Sequence, residues 1–367
     1  MKVLHIITRM NQGGTSRWLE GLSNQLISAG WDSVVIAGEV DKNEVEDDCF
    51  QALHGTRVQT LGKGKGPIND LRSFIELRKL IKNHRPDVLN THTSKAGVLG
   101  RAAAFTIPNN KAKVIHTYHG HLLYGYFSKP VSFLINVVEK LMSLVTDHFI
   151  VAGKSVRDQL IEAGIGNEKM YSVIYPGVDI AINSNSRKAR SQFGIDDGAF
   201  VVGWMGRFEK IKSPIRVVEL ARCFPNVIFL MAGSGSLFEE IKLSAPSNLL
   251  LPGWSEAQQI WSASDVALLT SENEALPIAL IESGLFGIPS IAENVGSVSE
   301  VVIHEISGFL CNTLEQRVNA LNTLHSNTAL RSQMGENAKK HCSKSFSVKK
   351  FGEDHCRVYL GRLPHEN

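Results

Sequence analysis

Glu274 and Glu282 are, by type and spacing, the residues of this chain best placed to grip a polar substrate. They lie in Ser271-Glu272-Asn273-Glu274-Ala275-Leu276-Pro277-Ile278-Ala279-Leu280-Ile281-Glu282, directly after an expected strand over residues 266–270. Pro277 suits a first helical position, which puts Glu274 in the loop and Glu282 inside the helix. Eight helical steps of 1.5 Å would part them by roughly 12 Å, too far for a close acid–base couple. The spacing instead fits two grips on one long ligand, such as a sugar and a ribose. Leu276, Ile278 and Ala279 offer backbone N–H groups at the helix start, whereas Pro277 cannot donate.

Two cations stand on a second loop, Gly206-Arg207-Phe208-Glu209-Lys210-Ile211-Lys212. Arg207 and Lys212 at a strand end can clamp a diphosphate and neutralise charge that develops as a sugar–phosphate bond breaks; Lys210 reads as a solvated turn residue. Near the N-terminus, Asn11-Gln12-Gly13-Gly14-Thr15-Ser16 joins a strand to a helix. Its glycines would let backbone approach a phosphate at the helix start, and a plain tight turn is the competing reading. The G-x-G-x-x-G dinucleotide fingerprint is absent, so Glu39 at the end of the second strand carries little weight as a ribose ligand. Gly62-Lys63-Gly64-Lys65-Gly66-Pro67 lacks the Gly-Lys-Ser/Thr ending of a P-loop and reads as a flexible, solvated loop. Asn90-Thr91-His92-Thr93-Ser94-Lys95 and His116-Thr117-Tyr118-His119-Gly120-His121 put histidines at two strand ends. Any one of them reads equally well as a structural histidine, but the cluster favours a site. The separation of the two groups does not match a helical metal motif.

These loops need a frame, and the chain supplies one. Strands are expected at 3–8, 33–37, 87–89, 113–117, 148–152 and 171–174, with helices at 15–29, 68–83, 95–105, 130–146 and 155–163. Such alternation builds a parallel sheet covered on both faces. Tyr175-Pro176-Gly177-Val178-Asp179 breaks the pattern, and the polar run 183–190 reads as a linker. A second alternation follows, with strands at 200–204, 227–231, 248–251, 266–270, 290–292 and 308–310. Helices are expected between them at 214–223, 238–243, 257–262, 278–286, 297–302 and 314–325. The fold class is α/β, two Rossmann-like doubly wound domains at 1–179 and 180–346 with their sheet ends at a shared cleft. A last helix, 347–363, ends the chain. Open α/β sheets bind ligands at the carboxyl ends of their strands, which is where the Gly13-Gly14, histidine, Arg207–Lys212 and Glu274 motifs fall.

Composition narrows the classes. With 43% apolar and 20% charged residues the chain is globular rather than disordered. A net charge of +3 with no recognition motif gives no reason to expect a nucleic-acid partner. Five scattered cysteines show neither metal-ligand spacing nor a disulfide framework, which points to a reducing, cytoplasmic compartment. The apolar stretch 131–151 is interrupted by Glu139, Lys140, Asp147 and His148, so it reads as an amphipathic helix running into a strand, not a membrane span. The segment 122–129, with aromatics and a cation, is expected either to meet acceptor or membrane or to enter a buried helix.

Taken in order, Gly13-Gly14, Thr91-His92-Thr93-Ser94-Lys95-Ala96-Gly97, the His116–His121 run, Tyr175-Pro176-Gly177-Val178-Asp179, Gly206-Arg207 with Lys212, Gly233-Ser234-Gly235, Glu274 through Glu282, Gly296 with Glu300, and Ser307-Gly308-Phe309-Leu310 span nearly the whole chain. Together they resemble glycosyltransferase family 4, retaining GT-B enzymes of bacterial surface-polysaccharide synthesis. The resemblance implies transfer of a hexose or N-acetylhexosamine from a nucleotide sugar, UDP-linked by preference, to a saccharide or lipid-linked acceptor. It also implies peripheral contact with the cytoplasmic face of the inner membrane. By the same resemblance Gly14 approaches the donor phosphates, and Arg207 and Lys212 stabilise the departing nucleoside diphosphate. Glu274 holds sugar hydroxyls with the N–H groups of Leu276 and Ile278, Glu282 holds the ribose, and His119 lies beside sugar and acceptor. No cofactor or essential metal is implied, retention would follow front-face attack, and the last helix would pack back on the first domain. Ser213, Ser297 and Ala275-Leu276 depart from the family's more usual Gly, Gly and Gly-Phe. A sugar-nucleotide epimerase of the same architecture and a non-catalytic nucleotide-sugar or glycan-binding partner are the competing classes.

Overall fold

The computed structural model describes residues 1–41, 44–62, 64–120, 129–182 and 185–364, and the chain divides into two compact units. Unit 1 comprises Met1–Gly177 with Val348–Asn367, and unit 2 is Val178–Ser347.

Unit 1 runs β1 (Lys2–Ile7), α1 (Gly14–Ser28), β2 (Asp32–Ala37), α2 (Cys49–Ala52), β3 (Thr56–Arg57), α3 (Pro67–His84), β4 (Val88–His92), α4 (Ser94–Phe105), β5 (Lys113–Tyr118), α5 (Lys129–Ser143), β6 (His148–Val151), α6 (Lys154–Glu162) and β7 (Tyr171–Val173). Its seven strands are parallel in the order β3-β2-β1-β4-β5-β6-β7. The central strands are buried on both faces, which explains why β1 is almost unbroken apolar sequence. Leu4 and Ile6 pack with Leu77, Leu89 and Ala103 on one side, while Val3 packs with Trp18, Leu22 and Leu26 on the other.

Unit 2 runs α7 (Ser186–Gln192), β8 (Val201–Met205), α8 (Ile215–Cys223), β9 (Ile228–Ala232), α9 (Phe238–Ser244), β10 (Leu249–Gly253), α10 (Ala257–Ala263), β11 (Val266–Leu269), α11 (Ile278–Leu285), β12 (Ser290–Glu293), β13 (Gly308–Cys311), α12 (Leu314–Ser326) and α13 (Thr328–Ser345). Its sheet is six-stranded and parallel, in the order β10-β9-β8-β11-β12-β13. Each sheet reverses its strand order once, at β1/β4 and at β8/β11, and such switch points are where doubly wound sheets hold ligands.

The closing helix α14 (Val348–Tyr359) belongs to unit 1. Phe351, Val358 and Tyr359 fill the layer around Trp18 and Ile150. The Asn90 amide donates to the Tyr359 hydroxyl at 2.7 Å, and Lys113 donates to the Val358 carbonyl at 2.6 Å.

Three local expectations are corrected. The polar run 183–190 is not wholly a linker, because α7 begins at Ser186 and Arg190 anchors it. That guanidinium donates to Asp265 at 2.9 Å and to the carbonyls of Ala263 and Asp197. The expected helix at 297–302 is only a 3-10 turn, Val298–Glu300. The Gly62–Pro67 loop is solvated as expected, with Gly64, Gly66 and Pro67 exposed, but its described residues are tied down: Lys65 pairs with Glu39 at 2.8 Å, and Lys95 donates to the carbonyls of Gly62 and Lys65.

Candidate active site

In unit 1 the switch point lies between the ends of β1 and β4. After β1 the chain turns through Gly13 into α1, whose first residue is Gly14. A Cβ on either glycine would meet nothing within 4 Å, so neither is required for packing and the space above the helix start is open. After β4, Thr93 adopts φ 64 and ψ 155, a conformation that costs a β-branched residue of order 1–3 kcal/mol. Its hydroxyl lies 2.7 Å from that of Thr8, at the end of β1, and accepts from the Thr8 N–H. Thr8 in turn accepts from the Ala96 N–H, capping α4 from the neighbouring strand.

His119 follows β5 and is hydrogen-bonded to His92, Nε2 to Nδ1, at 2.9 Å. His5, inside β1, lies 3.1 Å from His92 on the other side. Burial first, and the neighbouring His355 second, press the His119 and His5 pKa values down to about 3. Sequence reasoning singled out His92 and His119 but missed His5, His355 and Trp18. A histidine within the apolar run of β1 was the available signal. The aromatic run 122–129 and His121 fall outside the described residues, apart from the backbone of Lys129 at the start of α5.

In unit 2 the β8 loop is held by Phe208, fully buried edge-on to Trp204 and Phe238. Gly233 and Gly235 let the next loop pass against it: a Cβ would sit 1.9 Å from the Gly206 carbonyl at the first and 2.6 Å from the Phe208 carbonyl at the second. This packing leaves Arg207 exposed, its guanidinium making no ion pair among the described residues. Glu209 beside it accepts from the Ser236 amide and hydroxyl, which holds its carboxyl below the usual pKa.

The same loop ends at Lys212 and is stitched to the segment after β11. The Thr270 hydroxyl donates to the Lys212 carbonyl at 2.9 Å, and the Glu272 N–H donates to the Ile211 carbonyl at 2.8 Å. Across this seam Lys212 Nζ lies 2.5 Å from Glu274 Oε1, and the Ser271 hydroxyl donates to the same oxygen at 2.6 Å. Glu274 is 8% exposed, so the pair is largely withdrawn from water, where a charge-assisted bond is strong. Ser213, after the lysine, holds a left-handed φ of 45, which explains why glycine suits that place.

Pro277 is the N-cap of α11, with an extended ψ of 96, rather than its first helical residue. Only the stretch from Ile278 onward is helical, so the eight-step helical estimate of the Glu274–Glu282 separation does not apply. Leu276 is buried and Ile278 opens the helix, where the first N–H groups have no helical acceptor. Glu282 sits one turn further on, with the Trp261 indole donating to it at 3.4 Å. Desolvation pushes its pKa up to about 7, opposed by that bond. The structure thus brings Lys212, Ser271 and Glu274 together, with Arg207 on the same β8 loop and Glu282 on α11. Gly14 and His119 belong to unit 1. No grouping of three or more His, Cys, Asp or Glu side chains able to hold a metal lies among the described residues.

Residues 12–182 match the model of Glycosyltransferase Family 4, and residues 185–341 match that of Glycosyl transferases group 1. An Escherichia coli relative, UDP-Gal:alpha-D-GlcNAc-diphosphoundecaprenol alpha-1,3-galactosyltransferase, is 29% identical over 324 residues, covering 83% of this chain and 82% of its own. The Staphylococcus aureus capsular polysaccharide biosynthesis glycosyltransferase CapM is 23% identical over 78% of this chain and 80% of its own. Among solved structures, Anabaena HepE in complex with UDP superposes with a TM-score of 0.82 at 20% identity, covering 98% of this chain and all of that one.

Proposed function

Because the chain belongs to the glycosyltransferases, with a family 4 N-terminal half, a group 1 C-terminal half and the GT-B fold, we propose that it is a retaining enzyme of surface-polysaccharide synthesis. It moves a hexose or N-acetylhexosamine from a UDP-sugar to a saccharide or lipid-linked saccharide. The observation that carries this reading is the seam in unit 2, where Lys212, Ser271 and Glu274 converge beside the helix start at Ile278.

Arg207 and Lys212 neutralise the diphosphate as the sugar leaves. When donor arrives, Lys212 turns from Glu274 to phosphate, and the Glu274 carboxylate, still held by Ser271, accepts from sugar hydroxyls beside the N–H groups of Leu276 and Ile278. Glu282 accepts from the ribose hydroxyls. Gly14 leaves room for donor phosphates at α1, and His119 meets the sugar and the incoming acceptor. The leaving phosphate takes the acceptor proton on the same face, which preserves the anomeric configuration without an essential metal. UDP in the HepE complex and the UDP-galactose of the E. coli relative's name support the donor base, and that name makes a diphosphoundecaprenol-linked acceptor the first to assay.

Among the described residues no helix is long and apolar enough to cross a membrane. α5 nevertheless exposes Val131, Phe133, Leu134, Val137 and Leu141, with Phe133 71% and Leu134 63% accessible. This row is the surface we assign to peripheral contact with the cytoplasmic face of the inner membrane.

The test is UDP release and product analysis with Arg207→Ala and Glu274→Ala. Each is expected to lose activity by about 10²–10³-fold while remaining folded. Full activity in both variants refutes the reading. Product formed without acceptor identifies an epimerase, and inverted product refutes retention.

A further inference from the structure

Five rings gather in unit 1: His5 of β1, Trp18 of α1, His92 of β4, His119 after β5 and His355 of α14. Three imidazoles are strung on two hydrogen bonds, His5 Nδ1 to His92 Nε2 at 3.1 Å and His92 Nδ1 to His119 Nε2 at 2.9 Å. Trp18 stands edge-on to His119 and His355, with centroids 5.1 and 5.8 Å away. Four ring nitrogens here are buried without a hydrogen-bond partner among the described residues: His5 Nε2, Trp18 Nε1, His119 Nδ1 and His355 Nε2. Each such atom costs about 1–3 kcal/mol when left bare. Four in one cluster mark a place completed by a bound polar molecule.

A neutral imidazole has one donor and one acceptor. The chain therefore points one way at a time, its protons on Nδ1 of all three rings or on Nε2 of all three. His355 Nδ1 lies 2.8 Å from the Phe351 carbonyl and must donate to it, which leaves His355 Nε2 an acceptor. Trp18 Nε1 can only donate.

We propose that His92 and His5 are positioning residues that fix the ring and tautomer of His119, and that their chain ends on an internal water held by Trp18 and His355. The proposal rests on the placement of His119 at the transfer site. Such a water accepts from Trp18 and donates to His355. It keeps one hydrogen and one lone pair for His5 Nε2, so it serves either direction of the chain. The direction decides whether His119 Nδ1 meets a sugar hydroxyl as donor or as acceptor.

Burial favours the neutral form of all three rings. The other ionisable groups acting on them are His355 from α14 and His116 from β5. Arg101 of α4 acts on His116, and Asp354 acts on His355 in the opposite sense.

Nitrogen-15 NMR of the full chain with labelled histidine reads each ring nitrogen without turnover. In the wild type, His5, His92 and His119 are expected to stay neutral, each in one tautomer, from about pH 8 to about pH 5. His92→Phe is expected to release His119 into a tautomer mixture while burial keeps the ring neutral. kcat should fall about 10- to 100-fold with little change in donor KM, and His92→Gln should recover part of the loss. A wild-type His119 that titrates near its ordinary value, or one whose tautomer is unmoved in His92→Phe, overturns the proposal. If His92→Phe does not fold, the wild-type titration and His5→Phe decide alone. A high-resolution map with no water between Trp18 and His355 overturns the terminal site. Full activity in His119→Ala, when the wild type shows the expected NMR pattern, overturns the catalytic placement instead, so the two failures are told apart.

Discussion

Replacing Gly296 by alanine should damage the candidate site without touching any side chain in it. Gly296 has a φ of 54, and a Cβ there would lie 1.8 Å from the carbonyl oxygen of Glu274 and 3.2 Å from its nitrogen. The neighbouring Ser297 N–H donates to that same carbonyl at 3.1 Å, so the two turns are held together by the contact the methyl group would break. A left-handed alanine costs about 1–2 kcal/mol by itself. The larger effect is displacement: the Glu274 backbone must retreat by about 1 Å or more, and a shift of that size at a reacting group costs about 10²-fold. Lys212 and Ser271 hold the Glu274 carboxylate from the other side, so the loop cannot rotate freely to compensate. The assay is UDP release at saturating donor, with thermal unfolding as the companion measurement. Gly198→Ala is the control, since a Cβ there meets nothing within 4 Å and should change stability by less than about 0.5 kcal/mol. Wild-type activity in Gly296→Ala would show that the position of Glu274 does not limit the reaction.

Three further outcomes are expected. Glu139→Gln should destabilise unit 1 by about 3–5 kcal/mol in denaturant unfolding, because Arg101, fully buried and 2.7 Å from Glu139, would lose its counter-charge; a change below about 1 kcal/mol would refute this. Glu282 has a folded pKa near 7, above its ordinary 4.5, so its contribution is intact below the unfolded value and lost as pH rises through the folded one. Glu282→Gln should therefore match wild type in Tm near pH 5 and exceed it near pH 8, and a pH-independent difference would contradict the sign. Phe133→Asp with Leu134→Asp should reduce co-sedimentation with anionic vesicles while leaving turnover on soluble acceptor analogues unchanged; undiminished sedimentation would remove α5 as the contact surface.

The frame was legible because parallel strands buried on both faces read as apolar runs, and β1, β6 and β11 stand out in that way. α13 was not legible. Its buried stripe is Met334, Gly335, Ala338 and Cys342, largely small residues that let it lie against α11, so no amphipathic pattern announces eighteen helical residues. α7 looked like a linker because its anchor is an arginine, and the ion pair with Asp265 is invisible until the fold brings the two together. The candidate site was readable as loops at strand ends, since Arg207, Lys212 and Glu274 carry their chemistry in their residue types. What the sequence could not show was which partner each would hold. The pairing of Lys212 with Glu274 depends on the seam between Thr270 and the Lys212 carbonyl. The histidine chain depends on the register of β1, β4 and β5, which sets His5 opposite Asn90 and His92 opposite Thr117, so that His5, His92 and His119 are each stepped two residues along from the last.

The docking of α14 on unit 1 constrains how the protein can be made. Phe351, Val358 and Tyr359 complete the layer around Trp18, Leu22 and Ile150, yet the ribosome delivers them only after the whole of Val178–Ser347. At roughly 5–20 residues per second, that is a delay of roughly ten to thirty seconds. Through that interval the first-made unit waits with an apolar face uncovered, while the later-made unit is completed, strands and helices together. The unit begun first is the unit finished last, and the nascent chain must shelter that face from aggregation until its final helix arrives.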